Sequence, residues 1–330
     1  RRVGDPGEPS GRTYYVYLYD WRLDNVAAVQ GLHELIERVA EEHGNSAQQV
    51  DVLAHSNGGL LARYYARFGT GDVLTEQPAP VVGNGSHRIR RLLLVGTPNL
   101  GSMQPVLSHV RGEEIGLRHI PADVVATCPG APQLMPHPDH VWLVNLRGEP
   151  VDLDLYDIDT WRELRWSVFS SRARMRMIRR RGGRKAADAH RRVLADYLAR
   201  HLVRGRRFQE ALSRPARQDE PRPYLFGGDC APTVARLVLG KGASSYSGYE
   251  RADRIPNPLP GVNYPALIND PGDGVVTRES LMGRPSRMDP GQAPLEISHS
   301  VFLCEAHQSL TGNPSFQDNL LYTLLSLEEN

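Results

Sequence analysis

Apolar and polar positions change period along the chain, and each change marks an element. Tyr14–Tyr19 is a β-branched and aromatic run of strand length. From Asn25 to Glu42 the apolar residues Val26, Val29, Leu32, Ile36 and Val39 fall on one helical face. Val50–Ala54 reads as a second strand and Gly58–Phe68 as a second helix. Arg91–Gly96 reads as a third strand, continuously apolar and so buried on both faces. Strand, helix, strand, helix, strand predicts a parallel sheet with crossover helices, an α/β fold.

The pattern loosens after about residue 105. Residues 105–165 are rich in Pro, His and Asp. Arg172–Phe208 then carries 14 Arg or Lys against two Asp, with helical periodicity from about Ala186 to Leu212. Leu225–Leu239 and Pro265–Leu281 read as short strands with turns, and a last helix covers Ser315–Leu327. Residues 1–12 are turn formers without periodicity, a loop or linker. The simplest division is a core formed by 13–105 and 221–330, interrupted by an inserted cap at 106–220.

Composition narrows the class. The 330 residues are 40% hydrophobic and 23% charged, which excludes a wholly disordered chain. No run approaches the ~18 apolar residues of a membrane span. The net charge of +1 creates no global field towards nucleic acid or anionic lipid. Cys128, Cys230 and Cys304 are odd in number and far apart, and read as buried thiols rather than a disulfide framework or zinc site. Localisation stays open because the chain starts at Arg1, with a lean towards a soluble, cytoplasmic protein.

Ala54–Gly59 (Ala-His-Ser-Asn-Gly-Gly) lies between a strand and a helix, the context of a nucleophile elbow usually written Gly-x-Ser-x-Gly. The turn strains the serine, so its neighbours two residues away, Ala54 and Gly58, have to be small. The bland alternative is a helix cap without chemistry. With Ser56 as nucleophile, the Asn57 backbone amide at the helix start is the expected oxyanion donor. Acid and base follow downstream in the order Ser, Asp, His. Asp273, between Gly272 and Gly274, is favoured as the acid, with Asp270 in reserve. His307, before the last helix, is favoured as the base over His299.

These residues carry a resemblance. Tyr19–Leu23, Ala54–Gly59, Gly96–Ser102, Gly272–Val276 and Ala306–His307 occur in one order. Together they resemble the lecithin:cholesterol acyltransferase and phospholipid:diacylglycerol acyltransferase family of α/β-hydrolases, in particular its bacterial lipase-like members. The resemblance spans residues 14–325 and is thin in the cap. It implies acyl transfer through an acyl-serine, from a lipid or other ester to an alcohol or to water. Carried over by position, Ser56 is the nucleophile, Asp273 the acid and His307 the base. Asn57 stands where the family often has Met, which leaves the backbone amide unchanged.

Against that pattern the serine comes early, with one strand before it. The resemblance therefore implies missing N-terminal strands and a missing second oxyanion donor. The alternative to an active enzyme is an impaired hydrolase remnant that binds lipid or a partner through its basic cap. The Arg-rich segment reads as a solvated cap helix or as a cap docking on an anionic membrane, with Met175, Met177 and Ile178 dipping into the interface; nucleic acid is the weakest reading. Trp21, Arg22 and Thr97–Gly101 follow strands, as pocket edges or simple packing. No phosphate loop or dinucleotide fingerprint is present, His137 and His140 make a poor metal pair around Pro138, and the expected mechanism uses no cofactor. Oligomeric state is not legible.

Overall fold

A computed structural model describes residues 13–75, 85–241, 246–284 and 294–326. The first helix, α1 (Asn25–Glu42), is capped by Asp24, whose carboxylate accepts the Val26 amide, and it buries the predicted stripe. Strand β1 (Val50–His55) leads into α2 (Asn57–Phe68), and β2 (Ile89–Val95) is the continuously buried strand. The middle of the chain holds α3 (Gln104–Arg111), a hairpin of β3 (Glu113–Ile115) and β4 (Arg118–Ile120), α4 (Ala122–Val125), β5 (Leu143–Val144) and α5 (Ile158–Leu164). It closes with α6 (Ser171–Arg181) and the 29-residue α7 (Arg184–Leu212). Then come β6 (Tyr224–Gly228), β7 (Ala231–Val234), β8 (Leu237–Lys241), β9 (Tyr246–Tyr249) and α8 (Tyr264–Ile268). Finally β10 (Asn269–Gly272), α9 (Arg278–Met282), β11 (His299–Leu303) and α10 (Pro314–Leu325) complete the order.

Four strands form one parallel sheet in the order β1-β2-β6-β11. Side chains alternate across it, as the strand period of two requires. Leu92 and Leu94 of β2 pack with α1 and α2 on one face, while Leu93 and Val95 pack with Phe316 of α10 on the other. Both faces of β2 are thus covered, which accounts for its unbroken apolar run. A separate core centred on Trp161, Trp166, Leu198 and Leu202 unites α5, α6 and α7 with residues of α3 and β8.

Two expectations are corrected. Tyr14–Tyr19 joins no ladder, although its side chains alternate: Tyr15, Tyr17 and Tyr19 are half-buried, and Tyr14, Val16 and Leu18 exposed. Tyr17 instead donates its hydroxyl to the Ala28 carbonyl of α1 at 2.5 Å and stacks on Tyr19. Strand composition is present, but a strand also needs a neighbour, and β1 pairs only with β2 among the described residues. Within Pro265–Leu281, the four-residue β10 pairs antiparallel with β7, short helices flank it, and residues 273–277 form the turn between β10 and α9.

Arginines bolt α2 to the end of α7. Arg67 donates to the carbonyls of Leu212 (3.1 Å) and Arg214 (2.7 Å) and pairs with Glu220 at 3.0 Å. Arg63 donates to Leu212 O at 2.8 Å. The terminal carbonyls of a helix lack intrahelical donors, and these guanidiniums supply them.

Candidate active site

Ser56 occupies the one-residue turn between β1 and α2 with φ 55° and ψ −127°. Positive φ in a residue with a Cβ costs about 1–3 kcal/mol and persists only where the surroundings enforce it. Here they do: the Ser56 amide donates to Val95 O at 2.8 Å, fixing the turn on the neighbouring strand. The crowding differs from the expectation. A Cβ on Gly58 would meet Tyr19 and Ala54 no closer than 3.8 Å, ordinary contact, whereas one on Gly59 would lie 1.9 Å from Thr97 Oγ1. Gly59 is the glycine that the close approach of α2 to the Thr97 loop requires.

The sheet brings distant residues to this turn. His307 Nε2 lies 3.0 Å from Ser56 Oγ, and His307 Nδ1 lies 2.8 Å from Asp273 Oδ2. Asp273 Oδ1 accepts the Val275 and Val276 amides at 2.9 and 2.7 Å, and the His307 amide donates to the Asp273 carbonyl at 3.0 Å. Asp273 and His307 are both buried. Gly96, at φ 56°, passes beneath the imidazole, where a Cβ would sit 3.0 Å from its ring. A carboxylate so held fixes the ring with Nδ1 protonated, leaving Nε2 to accept a proton from a hydroxyl.

The reserve residues lie elsewhere. Asp270 pairs with Arg236 at 2.6 Å. His299 opens β11 opposite Tyr224, at the other end of the strand from the His307 loop. The Asn57 amide belongs to the first turn of α2, where helix amides have no intrahelical partner. Trp21 is partly exposed, and Arg22 forms a solvent-exposed pair with Asp20. Asn99 accepts from Arg63 at 3.0 Å and donates to Leu281 O, so Thr97–Gly101 packs against α2 and α9. His140 bonds the Ala235 carbonyl, and no cluster of metal-ligating side chains occurs among the described residues.

Three features were not read from the sequence. His55 places Nε2 3.1 Å from the His307 carbonyl, with the two rings 4.9 Å apart; burial lowers its pKa, so it acts as a neutral donor. A buried amide network joins the elbow to α1 and the cap: Asn57 donates to Asn25 Oδ1 (2.9 Å), Gln133 accepts the Asn25 amide (2.8 Å), and Gln209 donates to Gln133 O (2.7 Å). Asn and Gln carry no periodic signal, so nothing announced it. The third corrects the reading of buried thiols. Cys230 and Cys304 form a disulfide at the exposed ends of β6 and β11, and Cys128 alone is free. Their pairing becomes visible only once β6 and β11 are known to be neighbours.

Residues 6–147 match the family described as lecithin:cholesterol acyltransferase. No curated protein matches the chain. Among solved structures, it is similar to a chain of "The crystal structure of Tle4-Tli4 complex", with a TM-score of 0.52 and 14% identity over 92% of this chain and 66% of that one. The likeness is one of fold, and it extends over more of the chain than the family match does.

Proposed function

We propose, for a chain whose residues 6–147 match the lecithin:cholesterol acyltransferase family, that Ser56 is the nucleophile of acyl transfer from a lipid ester, with His307 as base and Asp273 as orienting acid. The observation that carries this reading is the hydrogen-bonded run from Ser56 through His307 to Asp273, at 3.0 and 2.8 Å, on a strained turn before a helix. His307 takes the Ser56 proton as Oγ attacks the ester carbonyl. The oxyanion forms against the Asn57 amide at the positive end of α2, and Asp273 stabilises the imidazolium. Collapse expels the alcohol, which receives its proton from His307, and leaves an acyl-serine. Water or a second alcohol then takes the acyl group, so the reading covers lipase, esterase and O-acyltransferase. The scheme needs no cofactor.

Two further assignments go with it. The basic cap is the surface that meets an anionic membrane, where each Lys or Arg is worth about 1 kcal/mol. A disulfide between exposed cysteines persists under oxidising conditions, so we assign the working compartment to the oxidising side rather than to the cytoplasm. Among the described residues no helix is long and apolar enough to cross a membrane.

The test is intact mass and peptide mapping after treatment with a fluorophosphonate, paired with ester turnover by wild type and Ser56→Ala. A single adduct on Ser56, with turnover lost in the variant, is the expected result. A folded protein that takes no adduct on Ser56 overturns the reading and leaves a lipid-binding remnant of the fold.

A further inference from the structure

Outside the candidate active site, an open cleft of about 570 Å³ lies between α4, α6 and α7. That is within the ~300–1,000 Å³ range of small-molecule sites. Its wall is apolar where Met177 and Leu194, both buried, meet the half-exposed Val124. Its lip is basic, formed by Arg180, Arg181 and His190. Arg181 donates to the His190 ring at 3.0 Å, and Arg180 has no ion-pair partner among the described residues. The carboxylate in the lining, Asp123, is already neutralised by Arg176 at 2.6 Å.

The charge here is not explained by helix stability. Arg179, Arg180 and Arg181 suit the negative C-terminal end of α6. Across the Gly182–Gly183 turn, however, α7 begins with Arg184 and Lys185, has no acidic residue in its first turn and no side-chain cap. Cations at a helix N-terminus are unfavourable. Local propensity that opposes the fold without compensation points to function. An anion held at the lip would meet the positive charge gathered on the two sides of this turn.

We propose that this cleft binds a single-chain carboxylate amphiphile, with its chain against Val124, Met177 and Leu194 and its carboxylate on Arg180 and Arg181. The proposal rests on the reading above only for the ligand's class, since ester hydrolysis releases such carboxylates. Each methylene taken from water tightens binding about fourfold, so affinity rises with chain length while the arginines select the charge. A product held on the cap, away from Ser56, would make the cap respond to how much has been released.

The experiment is calorimetric titration of the Ser56→Ala protein with tetradecanoate below its micelle concentration, so the outcome does not depend on turnover. Expected are one site on the cap, binding at least tenfold weaker in Arg180→Ala/Arg181→Ala and in Val124→Glu, near-normal binding in Val124→Gln, and no measurable binding of acetate or of 1-tetradecanol. A second titration uses wild-type protein whose Ser56 carries a long-chain fluorophosphonate adduct, and binding should survive. Unchanged affinity in the arginine or Val124→Glu variants, with native circular dichroism, overturns the proposal. So does binding abolished by the Ser56 adduct, which would assign the ligand to the acyl pocket. If Ser56 takes no adduct, the functional reading fails while the variant titrations still decide this one.

Discussion

Breaking the Cys230–Cys304 bond should weaken both the fold and the candidate site, in separable amounts. The bond closes a loop with a sequence separation of 74, for which loop-closure entropy gives about 4 kcal/mol of stabilisation as an upper figure. Its position adds a local effect. Cys304 lies three residues before His307, and the His307 amide donates to the Asp273 carbonyl at 3.0 Å. Next to Cys230 in the chain, the β6 end is so close to this junction that a Cβ on Gly228 would lie 2.4 Å from Glu305 O and 2.8 Å from Asp273 Cβ. The bond therefore ties β6 and β11 at the point where Asp273 and His307 meet. Freeing the His307 loop at a cost of about 1.4 kcal/mol in the transition state lowers turnover tenfold.

The assay compares Cys128→Ser protein, oxidised and after reduction with dithiothreitol, with Cys128→Ser/Cys230→Ser/Cys304→Ser. Urea unfolding should lose about 2–4 kcal/mol. At 25 °C, with far-UV circular dichroism unchanged, kcat for a soluble ester should fall about tenfold while KM moves little, since the bond touches no substrate surface. Complete reduction, verified by mass, with kcat and urea midpoint both unchanged would refute this account of the bond.

Three other perturbations follow from single contacts. His55→Ala removes the donor to the His307 carbonyl and should lower kcat several-fold, with His55→Gln restoring part of it; equal activity in all three proteins would remove His55 from the positioning of His307. Gly59→Ala should destabilise by about 1–3 kcal/mol through overpacking against Thr97, and Thr97→Ala in the same chain should recover part of that in thermal melts. His109, fully buried with Nδ1 on Pro105 O, has its pKa lowered by burial to about 4. The unfolded chain then binds the proton first, so stability is nearly full above about pH 7 and falls by about 3 kcal/mol as pH drops to 4. His109→Gln should flatten that slope in urea midpoints measured at pH 7 and 4.5, and an unchanged slope would assign it to other groups.

What the chain disclosed beforehand depended on the range of each interaction. α1, β1, α2 and β2 were legible because their stripes and runs are local, and the boundaries of α1 were read to the residue. Tyr14–Tyr19 was misread because ladder pairing is a property of two segments. β11 and the disulfide were missed together, since the pairing of β6 with β11 decides both. The candidate site residues were approached through turn chemistry: Gly272 and Gly274 around Asp273, and the small residues around Ser56. The amide network through Asn25, Gln133 and Gln209 had no such local mark.

The same contacts divide the cap mechanically. Helix α7 runs for about 43 Å at 1.5 Å per residue, and its two halves are held differently. Its C-terminal half is fixed to the sheet core. Arg204 pairs with Asp24 and Asp72, Gln209 donates to Gln133 O, and the last carbonyls take Arg63 and Arg67. Gly205 lies against Pro132 so closely that a Cβ would come within 2.5 Å of its carbonyl oxygen. Because Gln133 also holds the Asn25 amide, and Asn25 accepts from Asn57, this half and the Ser56 turn form one unit. The N-terminal half packs on α6, to which Asp188 is paired through Arg174, and it opens with Arg184 and Lys185. The basic-lipped cleft thus lies on α6 and the start of α7, apart from the residues that tie α7 to the core. A ligand bound there would therefore load α6 and the start of α7, and not the contacts that hold the Ser56 turn to the end of that helix.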